Sequence, residues 1–422
     1  MKYRLLVLAV ILSLLLTACG GTAASSQKAD LTMMMWGDPA ELEVWNKIVA
    51  DFHTANPNIT VKVDVSDWDS YWTKLKTLLS AGTPPDVFAM DAPLYLDYQS
   101  RGVLLNLQPY LDKNPDLLKG VYPQTLEAYK TPEGMFGLPR DFQTVALFYN
   151  KDMFDAAGVD YPTADWTYDD LRNAAKQLTK DSNSDGKIDQ FGFYSDLWDM
   201  ELIWSEGIWA YGGDVINADH TKTLIGEPKA REAWQLFHDM MFEDKSWPDS
   251  NTAGEYGGDP FLAGVAAMTT IGHWVVPGYS EVNFKWDVAP MPKGPAGQAT
   301  SVNSAGFVVA KDSKSPDAAF EFLKYVLSEP AQKRLAELGF ACPVLKSVAE
   351  SDAFLKQSTA IDNKVFLDSL EFAHMKPVFK GYDEWSSAVG DGMAPIWTGE
   401  AELDPTLDEA VKSADDVLAN NQ

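Results

Sequence analysis

The chain has 422 residues, 46% of them hydrophobic and 23% charged, which suits two or three folded units with cores of ordinary size. Its formal charge of -27, from 34 Lys and Arg against 61 Asp and Glu, repels phosphate backbones and argues against a nucleic-acid partner. Five His and two Cys are scant material for zinc or iron–sulfur chemistry.

Lys2 and Arg4 precede an apolar run from Leu5 to Leu16, too short to span a bilayer and the right length for an export-signal core. The run ends in Leu16-Thr17-Ala18-Cys19-Gly20-Gly21, which resembles the bacterial lipobox and implies lipidation of Cys19 after cleavage. Residues 1–18 are read as a signal peptide and 19–29 as a lipid-anchored flexible tether. The protein is expected at the outer face of the bacterial cytoplasmic membrane, bound through the anchor only. Cys342 then lacks a disulfide partner and is read as a small buried apolar residue.

Leu31 to Trp36 reads as a strand and Gly37-Asp38-Pro39 as a turn; Leu42, Trp45, Ile48, Val49 and Phe52 follow at helical spacing. Ile59, Val61, Val63 and Val65 alternate as a strand, and Trp72, Leu75, Leu78 and Leu79 mark a helix closing at Gly82. Asp86 to Met90 is a brief buried strand before a helix from Leu94 to Arg101. This strand–helix alternation predicts an α/β sheet with helices on its faces. Val145 to Tyr149 feeds a second sheet, and Thr167 and Asp170 form a capping box for a helix through Leu178. Helices are expected at Trp204 to Gly213 and Trp234 to Phe242. Further on come a strand at Gly306 to Val309, a helix started by Ser315-Pro316 and a last helix from Leu407 to Leu418.

Several segments, in this order and spacing, resemble the extracellular solute-binding proteins of family 1, the maltose-binding-protein-like receptors of ABC importers. They are Pro85-Asp86-Val87-Phe88 with Gly102-Val103-Leu104, Gly137-Leu138-Pro139 through Tyr149-Asn150-Lys151-Asp152, Gly272-His273-Trp274, and Ser304-Ala305-Gly306. The resemblance implies a two-lobed, class II periplasmic-binding-protein-like α/β fold whose lobes are joined by hinge crossovers. By that likeness the first lobe holds 30–141 plus 303–342 and the second 144–300 plus 343–422, with crossings near 142, 301 and 342. It also implies a monomer that hands a small-molecule carbohydrate to ABC transporter permease subunits, without catalysis and with no required cofactor.

A sugar needs aromatic plates for its faces and carboxylates or amides for its hydroxyl rim. Trp36, Asp38, Asp67, Trp68 and Asp91 follow the first three strands, at the carboxyl ends where open α/β sheets bind ligands. Core packing for the indoles and helix capping for the carboxylates remain open. The likeness places Gln143 at the hinge as a polar ligand contact and Trp274 in a second-lobe loop as a stacking plate. Trp198, Glu201, Tyr382 and Trp385 fall in stretches where the family contributes cleft aromatics, with a core role equally open. His273 is read as a loop hydrogen-bonding residue.

Asp181, Asn183, Asp185, Lys187 (through its carbonyl) and Asp189, with Gly186 at position 6, match the start of a calcium loop. Position 12 is Gly192, so a structural Ca²⁺ would need a ligand from elsewhere; the alternative is an acidic turn. Two functional rivals stand beside the sugar receptor. One is an exported carbohydrate-active enzyme, since carboxylates with aromatics also describe glycosidase clefts. The other is a binding protein for a cationic solute such as a polyamine.

Overall fold

In the computed structural model, which describes residues 28–358 and 361–421, two mixed sheets organise the chain. The export signal and Cys19 lie outside the described residues. The first sheet has the order Ile59–Ser66, Ala29–Trp36, Val87–Asp91, Ala305–Val309, Gly137–Pro139; its first three strands are parallel and the last two join antiparallel. The second has the order Ala373–Met375, Thr300–Asn303, Gln143–Asn150, Met268–Gly272, with Trp286–Ala289 also paired to Gln143–Asn150. Each is covered by helices, giving the two-lobed α/β architecture.

Most local expectations hold. Helix Pro39–Ala55 buries Val44, Trp45, Ile48 and Phe52, the stripe that helical spacing provides. Thr167 and Asp170 form the capping box of Tyr168–Leu178. Ser315 differs: Pro316 opens its helix, but the Ser315 side chain makes no capping bond. The last helix is longer than its apolar stripe suggested, running Leu403–Asn420, because Pro405 is tolerated in a first turn whose N–H groups need no helical acceptor. Among the described residues no helix is long and apolar enough to cross a membrane.

Three chain segments lie side by side between the sheets. Strand Gly137–Pro139 runs on into Gln143–Asn150, and Thr300–Asn303 into Ala305–Val309, with Gly306 opposite Pro139 and Asn303 opposite Gln143. Phe142 N–H donates to the Cys342 carbonyl at 3.1 Å, which adds the third segment. The Tyr129 hydroxyl donates towards the carbonyls of Met90 (3.0 Å) and Ser304 (2.8 Å). A Cβ on Gly306 would come within 2.6 Å of that phenol ring, so the Ser304-Ala305-Gly306 segment makes room for the tyrosine. Cys342 is a buried free thiol whose pKa burial pushes up.

After this crossing the short helices Lys346–Ala349 and Asp352–Leu355 pack on Glu329–Glu337. The C-terminal helices Tyr382–Trp397 and Leu403–Asn420 pack on each other and are tied to the second sheet's surroundings by Arg231–Asp404 at 2.7 Å. At the start of the first of them, Gly381 N–H donates to Asp97 at 2.8 Å and Lys76 pairs with Asp383 at 2.9 Å, so this helix also touches the first lobe.

Gln332 braces the crossing. It is fully buried; its amide donates to the carbonyls of Arg140 and Val326, both at 2.9 Å, and its oxygen accepts Val344 N–H at 2.8 Å. Gln332→Leu keeps the volume and orphans these buried groups, so it is expected to cost about 3 kcal/mol of unfolding free energy. Urea denaturation checks this, and a loss below about 1 kcal/mol would show that the brace carries no weight.

Candidate functional site

Between the two lobes lies a cavity of about 470 Å³, walled by both lobes and floored by the crossing segments. Other surface grooves of similar volume, such as the one beside Tyr122 and Lys346, lack this two-sided wall of indoles.

The first strand ends at Trp36, and Gly37 turns the chain with φ +153°. A Cβ there would sit 2.0 Å from Glu41 Oε2, so glycine lets Glu41 fold back onto the helix start. Asp38 Oδ1 accepts Glu41 N–H at 2.8 Å while Glu41 Oε2 accepts Asp38 N–H at 3.2 Å, a reciprocal cap. Burial raises the Glu41 carboxyl to about 7 despite the nearby Arg140. Asp67 caps Trp68–Ser80 by accepting Ser70 N–H at 3.0 Å, and this bond holds its exposed carboxyl below the usual range. Asp38 and Asp67 therefore both cap helices and line the cavity; the two readings are compatible.

Trp36, Trp68 and Trp72 form a cluster, with the Trp36 ring 5.0 Å from Trp68 edge-on and 5.6 Å from Trp72 stacked. Across the mouth, Trp198 of the second lobe lies 6.4 Å from Trp68 and is 53% exposed. Trp274 folds back over Gly272, where an added Cβ would meet its six-membered ring at 1.8 Å. The strand end must be glycine for the indole to lie there.

The floor is charged. Arg140 Nε pairs with Asp141 Oδ2 at 2.9 Å, both side chains almost wholly buried, and the Arg140 guanidinium lies 5.2 to 5.4 Å from the ring centres of Trp36, Trp45, Phe307 and Phe340. Burial pushes Asp141 up to about 6 against the pull of Arg140. Gln143 Oε1 is buried without a protein partner. Asp91, at the end of the third strand, accepts a bond from Asn303 Nδ2 at 2.6 Å. Lys376 lies behind the wall, its Nζ 3.0 Å from Asp199 Oδ1 and 3.5 Å from Glu201 Oε2. Burial alone would discharge this lysine; Asp199 and Glu201 outweigh it and hold the proton.

Nine of the residues singled out in the sequence line this one cavity: Trp36, Asp38, Asp67, Trp68, Asp91, Gln143, Trp198, Glu201 and Trp274. Tyr382 and Trp385 do not. They belong to the buried stripe Tyr382, Trp385, Val389, Met393 and Ile396 of their helix, and the Trp385 indole N–H donates inward to Thr223 Oγ1 at 2.9 Å. Helical spacing of apolar residues was the signal for that core role. Glu41, Arg140, Asp141, Asp199 and Asn303 line the cavity without having been picked out. For Glu41 the available signal was its capping-box spacing from Asp38.

His273 is buried outside the cavity lining; its Nε2 lies 3.0 Å from Asn363 Oδ1, and burial lowers its pKa to about 4. In the acidic loop, Asp181, Asn183, Asp185 and Asp189 turn their side chains onto loop N–H groups: Asp181 accepts Gly186 N–H at 2.8 Å and Asp189 accepts Ser182 N–H at 2.8 Å. Lys187 contributes its N–H to Asp185 at 2.8 Å. Among the described residues no group of three or more His, Cys, Asp or Glu side chains is arranged to hold a metal ion.

Comparison with known proteins gives a consistent result. Residues 36–333 match the model of the bacterial extracellular solute-binding proteins. A binding protein of Brucella abortus (strain 2308) is 28% identical over 87% of this chain and 88% of its own. The galactooligosaccharide-binding protein of Bacillus subtilis (strain 168) is 24% identical over 98% of this chain and 96% of its own. Among solved structures, an ABC substrate-binding protein from Listeria monocytogenes in complex with cycloalternan superposes with a TM-score of 0.85 and 27% identity, covering 93% of this chain and 99% of that one.

The raised Glu41 carboxyl has a consequence for stability. The folded state keeps a proton that the unfolded chain releases above pH 4.5, so this group's contribution falls as pH rises from 4.5 through about 7. Glu41→Gln keeps the capping geometry and removes the titration. Between pH 4.5 and 7.5 the wild type is expected to lose about 3 kcal/mol relative to the variant. Parallel urea titrations at both pH values check this, and equal pH slopes would refute it.

Proposed function

Because this chain belongs to the bacterial extracellular solute-binding protein family, we propose that it is an exported, lipid-anchored receptor that captures a sugar or oligosaccharide between its lobes and delivers it to an ABC importer permease. The observation that carries this reading is the cavity wall itself: indoles from both lobes, Trp36 and Trp68 on one side and Trp198 and Trp274 on the other, surround a floor of carboxylates and the Gln143 amide. Flat apolar sugar faces suit the indoles, and paired hydroxyls suit planar acceptors. The galactooligosaccharide named for the Bacillus subtilis relative and the cycloalternan in the Listeria monocytogenes complex support the same ligand class. Lobes joined by three adjacent segments suit hinge closure, in which a guest that prefers the closed form shifts the population towards it.

Binding without turnover fits the site better than hydrolysis. A glycosidase needs one free acid and one free base or nucleophile flanking the bond, whereas here Glu41 is held in a helix cap and Glu201 against Lys376. Calcium at the 181–189 loop is no part of this reading.

A calorimetric panel of galacto-, malto-, manno- and chito-oligosaccharides with spermidine as the cationic rival tests it. At least one saccharide is expected to bind and to compact the protein in solution scattering, with no cleavage products. Trp274→Ala should weaken that ligand about tenfold or more, equivalent to about 1.4 kcal/mol. Binding of spermidine alone, or release of shorter sugars, would overturn the reading. Separately, Cys19→Ala is expected to move the protein from the membrane to the soluble fraction, and unchanged membrane association would refute the anchor.

A further inference from the structure

Nine carboxyl side chains line the cavity, and Arg140 is the one cation among the lining residues. This imbalance acquires meaning from what each positive feature of the wall is doing. Arg140 is 3% exposed, paired with Asp141 and enclosed by four aromatic rings. Lys376, with 2% of its side chain exposed, is held by Asp199 and Glu201. Two long helices begin at the cavity, Pro39–Ala55 and Trp68–Ser80, and a helix start is a natural anion site. Here Asp38 and Asp67 already accept the N–H groups of Glu41 and Ser70. Each of these four positive elements is thus matched by a carboxylate of the protein itself. At the floor the unpartnered buried atoms are mostly acceptors, Gln143 Oε1 and the Asp141 carboxylate oxygens, beside the Arg140 Nη1 donor.

Resting on the saccharide reading above, we infer that this cleft selects by charge: it refuses saccharides bearing a carboxylate or phosphate and accepts those bearing a protonated amine. An anionic guest would bring negative charge into a space lined by nine carboxyl groups and a single cation that Asp141 already pairs. An ammonium group or a hydroxyl meets unused acceptors, and the indoles add attraction for a cation.

The test uses the full mature chain and trisaccharides of β-1,4-galactose, α-1,4-glucose, β-1,4-mannose and β-1,4-N-acetylglucosamine. Each is prepared unmodified, with one C6 hydroxyl replaced by an amine, and with the same carbon oxidised to a carboxylate. By calorimetry, for the backbone that binds, the carboxylate form is expected to be at least tenfold weaker than the parent, and the amine form within threefold of it or tighter. A carboxylate penalty below tenfold, or an amine form more than threefold weaker, overturns the charge selection while leaving the saccharide reading intact. Silence from all parent sugars overturns both. The Asp38→Asn/Asp67→Asn variant separates charge from shape, since Asn caps helices about as well as Asp. The carboxylate penalty should shrink at least threefold at an unchanged melting temperature; an unchanged penalty assigns the discrimination to shape and overturns the inference.

Discussion

The Arg140–Asp141 ion pair sits at the junction on which the rest of the molecule depends. It occupies the break between strands Gly137–Pro139 and Gln143–Asn150, where the chain passes from one sheet to the other. Burying an isolated charge there would be costly, and pairing alone seldom repays desolvation. Four rings enclose the guanidinium and Gln332 braces the Arg140 carbonyl, while Arg140 Nη1 and Asp141 Oδ1 keep no hydrogen-bond partner within the protein. The charged floor of the cleft and the structural crossing are the same few residues, so the cavity and the passage between the sheets are built as one.

The cleft is composite in the same way. Its first-lobe wall is made from strand ends and helix starts, where Trp36, Asp38, Asp67 and Trp68 serve the local fold and the cavity together. Its second-lobe wall is made from loops, with Trp198 exposed at the rim and Trp274 laid over Gly272. Neither wall encloses the cavity alone, which is why its shape belongs to the arrangement of the lobes and not to either sheet.

The strand-end half of this site was legible in the sequence because alternating strands and periodic helices locate the carboxyl edge of an α/β sheet without tertiary information. Trp36, Asp38, Asp67, Trp68 and Asp91 follow from that edge. Gln143 and Trp274 came from family likeness, since nothing local distinguishes a hinge amide or a loop indole. Tyr382 and Trp385 misled because an aromatic in a familiar stretch carries no mark of direction, whereas the apolar spacing of their helix did point inward. Arg140, Asp141 and Lys376 were illegible as a group for a physical reason: their roles come from desolvation and mutual pairing, and Lys376 meets Asp199 across 177 positions of chain.

The Trp68–Trp198 contact has an optical consequence. Two indoles, one from each lobe, stand 6.4 Å apart at an oblique 53°, close enough for their strong far-ultraviolet transitions to couple. The share of that coupling that crosses between the lobes falls with separation, while the share within the Trp36, Trp68 and Trp72 cluster does not, so any change in it reports on the width of the mouth.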